Sequence, residues 1–197
     1  MIEVWLEPYE MEMCERAGRD RFASARALQR NPGLGWASKG KVQGDIRGAQ
    51  CEFAASIGLN LSWRPTVGKV DRIDVGDMVE IRSTDLPDGR MPVRPKDLKE
   101  IPCVLVQQHG LCHTLIGWIW ACDAVKYAPE LVTAFGDPAH FVHRDFLDKD
   151  MAAFKRNLHW ELSGGYKVRL RIIIAPRDPE DAARIADDVG KLLEGDA

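Results

Sequence analysis

Several carboxylates and one arginine are spaced along this 197-residue chain in a way that suits metal-assisted hydrolysis. Glu52 stands in a segment of helical periodicity, Asp71, Asp74 and Asp77 follow it, and Glu80-Ile81-Arg82 comes next. Mg²⁺ takes oxygen ligands, usually one or two carboxylates, with water and substrate phosphate completing its shell. A cation so held lowers the pKa of a bound water and neutralises charge developing on a phosphodiester. Arg82 lies two residues beyond Glu80 and so shares its strand face, where it can orient the attacking water or stabilise that charge. The spacing fits a metal-dependent phosphodiesterase site.

The elements that must position these groups follow from periodicity. Glu7 to Leu28 reads as a helix, with Met11, Cys14, Ala17 and Arg21 at helical spacing. Asn31-Pro-Gly-Leu-Gly ends it and opens a loop to about Gly40. Asp45 to Ile57 reads as a second helix, with Ile46, Ala49, Phe53 and Ile57 on one stripe and Gly58 as its C-terminal cap. Val70–Val75 and Met78–Thr84 alternate around Gly76-Asp77, a hairpin signal. With a two-residue turn, Asp74 opposes Val79 and Asp71 opposes Arg82, which leaves Asp71 on the face of Glu80 and Arg82. A one-residue bulge reverses this assignment. Strands are expected at Met91–Arg94, Cys103–Gln107 and Leu115–Trp120, then a mixed stretch over 121–165, then a strand at Lys167–Ala175 and a helix at Pro179–Leu193. The order predicts a mixed α/β (α+β) plan.

One family resemblance covers residues 5–150. Helix carboxylate, hairpin aspartate and E-x-(K/R) form the skeleton of the PD-(D/E)XK nuclease superfamily. The chain also resembles a group of uncharacterised phage and prophage proteins of similar length. The matching pieces are Arg47-Gly-Ala-Gln-Cys-Glu-Phe-Ala-Ala-Ser-Ile-Gly-Leu, Asp74-Val-Gly, Glu80-Ile-Arg-Ser-Thr, Val93-Arg-Pro-Lys-Asp, Val104-Leu-Val, Gly117-Trp-Ile and His140-Phe-Val. The resemblance implies a restriction-endonuclease-like core, a mixed central sheet flanked by helices, over residues 1–155. Residues 156–197 would add a strand–helix unit. It implies Glu52, Asp74 and Glu80 as ligands of Mg²⁺ or Mn²⁺, with Asp71 as the alternate to Asp74. Arg82 would stand where the catalytic lysine usually stands. That departure matters, because arginine stays charged and can clamp a phosphate but cannot serve as an acid or base.

The formal net charge of −3 hides an asymmetry. Residues 15–50 carry eight cations against three anions, and residues 178–197 carry seven anions against two cations. A basic surface beside the Glu52 helix is the sharper reading of the first run, with Lys39, Lys41 and Arg47 as nucleic-acid contacts and Thr84 as a hydroxyl donor to phosphate. Solvated helix faces are the plainer reading. Among the six tryptophans, Trp36 in its Gly-rich loop is the candidate for stacking on a base.

The five cysteines, with no C-x-x-C, argue against a disulfide framework. His109, Cys112, His113 and Cys122 match no zinc spacing. With no signal peptide and no span long enough for a bilayer, a cytoplasmic protein without membrane contact is expected, plausibly a homodimer. The first functional expectation is a metal-dependent nuclease acting on DNA. The alternative is a catalytically inactive nuclease-fold protein that binds DNA or a protein partner. A structural or assembly role for the same core is the third.

Overall fold

The computed structural model describes residues 1–27, 38–65, 67, 73–97, 100–132 and 138–162, with backbone alone at 38–41, 96, 132 and 160–162. The chain divides into two compact units, Met1–Lys155 and Arg156–Ala197. The strand and helix expected at Lys167–Ala175 and Pro179–Leu193 lie outside the described residues, as does Trp36.

The first unit is mixed α+β. Strand β1 (Ile2–Trp5) leads into helix α1 (Pro8–Ala27), and α2 covers Ser38–Leu59. Strands β2 (Glu80–Thr84), β3 (Met91–Val93), β4 (Pro102–His109) and β5 (Cys112–Trp120) follow. The stretch expected to be irregular holds a short helix α3 (Ala124–Tyr127), β6 (Glu130–Val132), β7 (Pro138–Val142) and the start of α4 (Met151–Leu162).

Four strands form a mixed sheet in the order β1-β5-β4-β2, antiparallel except for the parallel β2–β4 pair. The register sets Glu80 beside Cys103 and Arg82 beside Leu105. A second, antiparallel sheet has the order β3-β7-β6. The described strands thus fall into two sheets within a mixed α+β unit. Cys103, Leu105, Ile116 and Ile119 of the large sheet form one buried cluster with Met91, Val93 and Val142 of the small sheet, and with Ala124 and Ala128 around α3. That face is covered mainly by strands. Met91 and Val93 of β3 and Val142 of β7 turn inward, and burying them against the large sheet removes them from water.

Helix α2 packs on β2, β1, β4 and β5, and α1 packs on α2. Because α2 is covered from two sides, its buried surface is broad and made of small residues. Ala49, Cys51, Ala54 and Ala55 are fully buried, while Ile57, the end of the expected stripe, is 44% exposed. Gly18 is what allows α1 its approach. A Cβ there would stand 2.5 Å from the Ile46 Cα.

Gly58 does not cap α2. The left-handed residue is Asn60, at φ 57°, with Leu61 N–H donating to Ser56 O at 2.9 Å and Asn60 N–H to Ile57 O at 3.1 Å. Those two bonds make a Schellman ending. Gly58 serves packing, since a Cβ there would press on Ile2, Val4 and Leu115 at 3.3 Å.

Candidate functional site

The hairpin that carries the aspartates closes one residue later than a two-residue turn would. Gly76 and Asp77 both have positive φ, 61° and 56°, and Met78 N–H donates to Val75 O at 3.1 Å. The antiparallel bridge then joins Val75 to Val79, not to Met78. Continued one step, that pairing sets Asp74 opposite Glu80. The bulge thus favours Asp74 over Asp71, which lies outside the described residues. Asp74 Oδ2 accepts the Ile81 backbone N–H at 2.9 Å, which fixes its carboxyl over the start of β2.

Glu52 enters the same cluster from α2. It is only 6% exposed, and both of its oxygens are taken. Arg21 of α1 places a fork on it, with Nη1 donating to Oε1 at 2.7 Å and Nη2 to Oε2 at 2.5 Å. The Trp63 indole N–H donates to Oε2 at 3.2 Å. Trp63 is itself held edge-on to Phe53, with ring centroids 5.1 Å apart, and its backbone bridges Val75. A carboxylate this buried requires such pairing, because an uncompensated charge out of water is costly.

Arg82 closes the other side. Its Nε donates to Pro92 O at 3.0 Å, Nη1 to Glu80 Oε2 at 3.1 Å and to Ile81 O at 3.0 Å, and Nη2 to Asp97 Oδ2 at 2.8 Å. Four of the five donors of the guanidinium are thereby committed to protein acceptors. Asp97 ends a 3₁₀ turn, Pro95–Asp97, directly after β3, and also accepts the Arg94 N–H at 3.3 Å.

Among the described residues, these contacts leave Asp74 without an ion pair of its own. Burial, then the neighbouring charges of Glu52 and Glu80, push Asp74 up to about 8, against the smaller opposing pull of the Ile81 N–H and Arg82. Asp74, Glu52, Glu80 and Arg82 therefore lie within electrostatic reach of one another, although 30 residues of chain separate Glu52 from Arg82. They do not form a ready-made three-carboxylate cage. Among the described residues no three His, Cys, Asp or Glu side chains stand together as a metal-holding group.

The expected nucleic-acid contacts fall elsewhere. Arg47 pairs with Asp85, just beyond the end of β2. The side chains of Lys39 and Lys41 lie outside the described residues. Thr84 is buried, and its hydroxyl accepts the Leu86 N–H at 3.1 Å, which anchors the turn after β2. Gly89 of that turn lies so close that a Cβ would collide with Thr84.

Three members of the cluster were not singled out as site residues from the sequence. Arg21 had a signal, since a cation on the apolar stripe of a helix must find a buried anion. Asp97 had a weaker one, a Pro-Lys-Asp turn after a short strand. Trp63 had none, because its role depends on where the loop after α2 crosses the helix. Among the cysteines, burial pushes Cys14 and Cys103 up to about 12, so neither is an activated thiolate. Among the described residues no helix is long and apolar enough to cross a membrane. No protein-family model matches this chain, and no curated protein or solved structure does so either.

Proposed function

We propose that the chain is a restriction-endonuclease-like protein whose Asp74–Glu80 pair serves divalent-metal-dependent hydrolysis of a phosphodiester, with DNA as the substrate class. The observation that carries this reading is the state of Asp74. A half-buried carboxyl held at about 8 by burial and two nearby carboxylates marks a point of excess negative charge, and strained titrations of this kind concentrate at functional sites. The donor chemistry suits Mg²⁺ or Mn²⁺ in part. Asp74 and Glu80 supply hard oxygen ligands, and one or two carboxylates suffice for Mg²⁺. Glu52 does not fit as a ligand while Arg21 holds both of its oxygens. When bound, the cation would supply a polarised water and charge neutralisation at phosphate.

The protein's own groups do the rest. The Ile81 N–H and the bulged turn fix Asp74 in position. Arg82 holds Glu80 and Asp97 at set distances and keeps its charge at every accessible pH, so it supports the site electrostatically without moving protons. The test is cleavage of single- and double-stranded DNA with Mg²⁺ or Mn²⁺. Metal-dependent cleavage that Glu80→Ala abolishes supports the reading. Absence of cleavage on every DNA and RNA form, or cleavage indifferent to that substitution, rejects it.

A second reading rests on a different observation. Both arginines of the cluster are ion-paired with protein carboxylates. A nuclease core in this state acts as a binding module for DNA or a protein partner, without catalysis. Failure of Mn²⁺ to bind by calorimetry, together with retention on immobilised DNA, favours it over the first.

A further inference from the structure

A groove of about 480 Å³ opens beside Asp85, at the opposite end of β2 from Glu80, between α1, α2 and the turn that joins β4 to β5. Small organic ligands occupy sites of about 300–1,000 Å³. Its walls are preformed. Gly18 brings α1 against α2 at Ile46, which lines the groove. Leu111, on the turn, is held by its carbonyl, which accepts the Leu6 N–H at 3.0 Å and the Nδ1–H of the fully buried His113 ring at 3.2 Å. The charged groups at the groove are already neutralised, Glu15 by Arg19 at 2.6 Å and Arg47 by Asp85. An ionic ligand would have to break one of those pairs, and a neutral one would not.

The polar groups left open are two amides. Gln108 Nε2 donates to Gln50 Oε1 at 2.7 Å, both residues line the groove, and Gln50 is only 7% exposed. A primary amide offers two N–H donors and an oxygen that accepts twice, and the single bond between the side chains uses only part of this capacity. Among the described residues nothing accepts from Gln50 Nε2 and nothing donates to Gln108 Oε1. Polar atoms in so buried a setting cost stability until they are paired. The pair thus offers one donor and one acceptor to whatever fills the groove. A carboxylate answers only the donor, and a cation only the acceptor. A neutral group with an N–H next to a carbonyl or ring nitrogen answers both, and base edges have that form. Met11, Ile46 and Leu111 supply apolar surface for the flat face of such a ring, and a thioether packs well on an aromatic.

We propose that this groove is a nucleobase site, in which Gln50 and Gln108 together read the hydrogen-bonding edge of one base while Met11, Ile46 and Leu111 cover its ring. The same chemistry serves a free nucleoside and a base within a strand. It does not rest on the metal-dependent reading.

The experiment follows the side-chain amide resonances of Gln50 and Gln108 by NMR in the full chain. Thymidine, deoxyadenosine, N3-methylthymidine and an oligothymidylate are added in turn. Thymidine and deoxyadenosine should shift both amides to saturation. N3-methylthymidine, whose ring N–H is blocked, should bind about fivefold to tenfold more weakly than thymidine, the scale of one neutral hydrogen bond. Gln108→Leu should weaken both nucleosides by a similar factor. Gln108→Asn, which draws the carbonyl back by one methylene, should weaken them less, and it serves if Gln108→Leu does not fold. Tighter binding of the oligothymidylate than of thymidine supports a base held in a strand, and equal or weaker binding supports a free nucleoside. The proposal is overturned if neither amide shifts with any of these probes, if N3-methylthymidine binds as thymidine does, or if N-acetylglycinamide binds as well as the nucleosides. None of these results bears on metal-dependent cleavage, which Glu80→Ala tests separately.

Discussion

Helix α2 and strand β2 carry two polar clusters, one toward each end of the strand, and the two are built to different standards. Near the start of β2, Glu80 and Arg82 join Glu52, Arg21, Asp74 and Asp97, and the paired side chains there are 8–23% exposed. Just past the end of β2, Asp85 pairs with Arg47, and those side chains are 60% and 27% exposed. Beside that pair, Gln108 Nε2 donates to Gln50 Oε1 at 2.7 Å, and the whole region lines an open groove of about 480 Å³. The difference is one of solvent. Water screens the Arg47–Asp85 pair, whereas the fork on Glu52 acts where screening is weak. Identical chemistry is therefore structurally decisive at one end and nearly neutral at the other. At the enclosed end burial and the neighbouring carboxylates of Glu52 and Glu80 raise Asp74 to about 8.

The sharpest way to break this contrast is to remove a partner at the enclosed end. Glu52→Ala strands the Arg21 guanidinium in a buried setting and should cost about 3–5 kcal/mol by chemical denaturation. A loss no larger than that of an exposed pair would put the two clusters on one footing.

Next in size is the pH dependence carried by Asp74. Its folded-state value, about 8, lies above the ordinary carboxyl value of 3.8. The folded protein therefore binds the proton more tightly than the unfolded chain, and the stabilisation is fully present below the unfolded value. It is lost as pH rises through the folded value, with a slope of about 1.4 kcal/mol for each step of one in pH between the two. Urea midpoints should fall between pH 5 and 8.5 by an amount worth a few kcal/mol on that scale. Asp74→Asn, which keeps an oxygen for the Ile81 N–H, should flatten the slope.

At the groove end the effects should shrink. Gln50→Ala removes one neutral amide bond from a buried helix position and should cost about 1–2 kcal/mol in thermal or chemical melts, with no change in the pH slope. Asp85→Ala should stay within about 0.5 kcal/mol, and less at high salt. A pH slope altered by either groove variant would show the two ends to be coupled.

Much of the scaffold was legible because it is local. The α1 stripe of Met11, Cys14 and Ala17, the β4 and β5 apolar runs and the Gly76-Asp77 turn each declare themselves within a few residues. What escaped was non-local. Strand β1 is four residues long and exists because β5 offers it an edge. The small sheet, with strands of three to five residues, holds only because its inner face is buried against Cys103, Leu105 and Ile116. The cap of α2 was misassigned to Gly58 because glycine and asparagine both tolerate the left-handed region, and packing against β1 and β5 had already claimed the glycine.

The site divides in the same way. Residue types and spacing marked Glu52, Glu80 and Arg82 and left Asp71 and Asp74 open, and only the family resemblance favoured Asp74. The sequence by itself determined which charges the chain carries and which faces of helix and strand present them, because periodicity is a property of neighbours along the chain. Only the tertiary structure decided who neutralises whom. The one-residue bulge chose the face of Asp74, and the closeness of α1 to α2 at Gly18 brought Arg21 onto Glu52. A buried charge must be paired by whatever the fold brings near it, and that partner is set by packing distance, not by position in sequence.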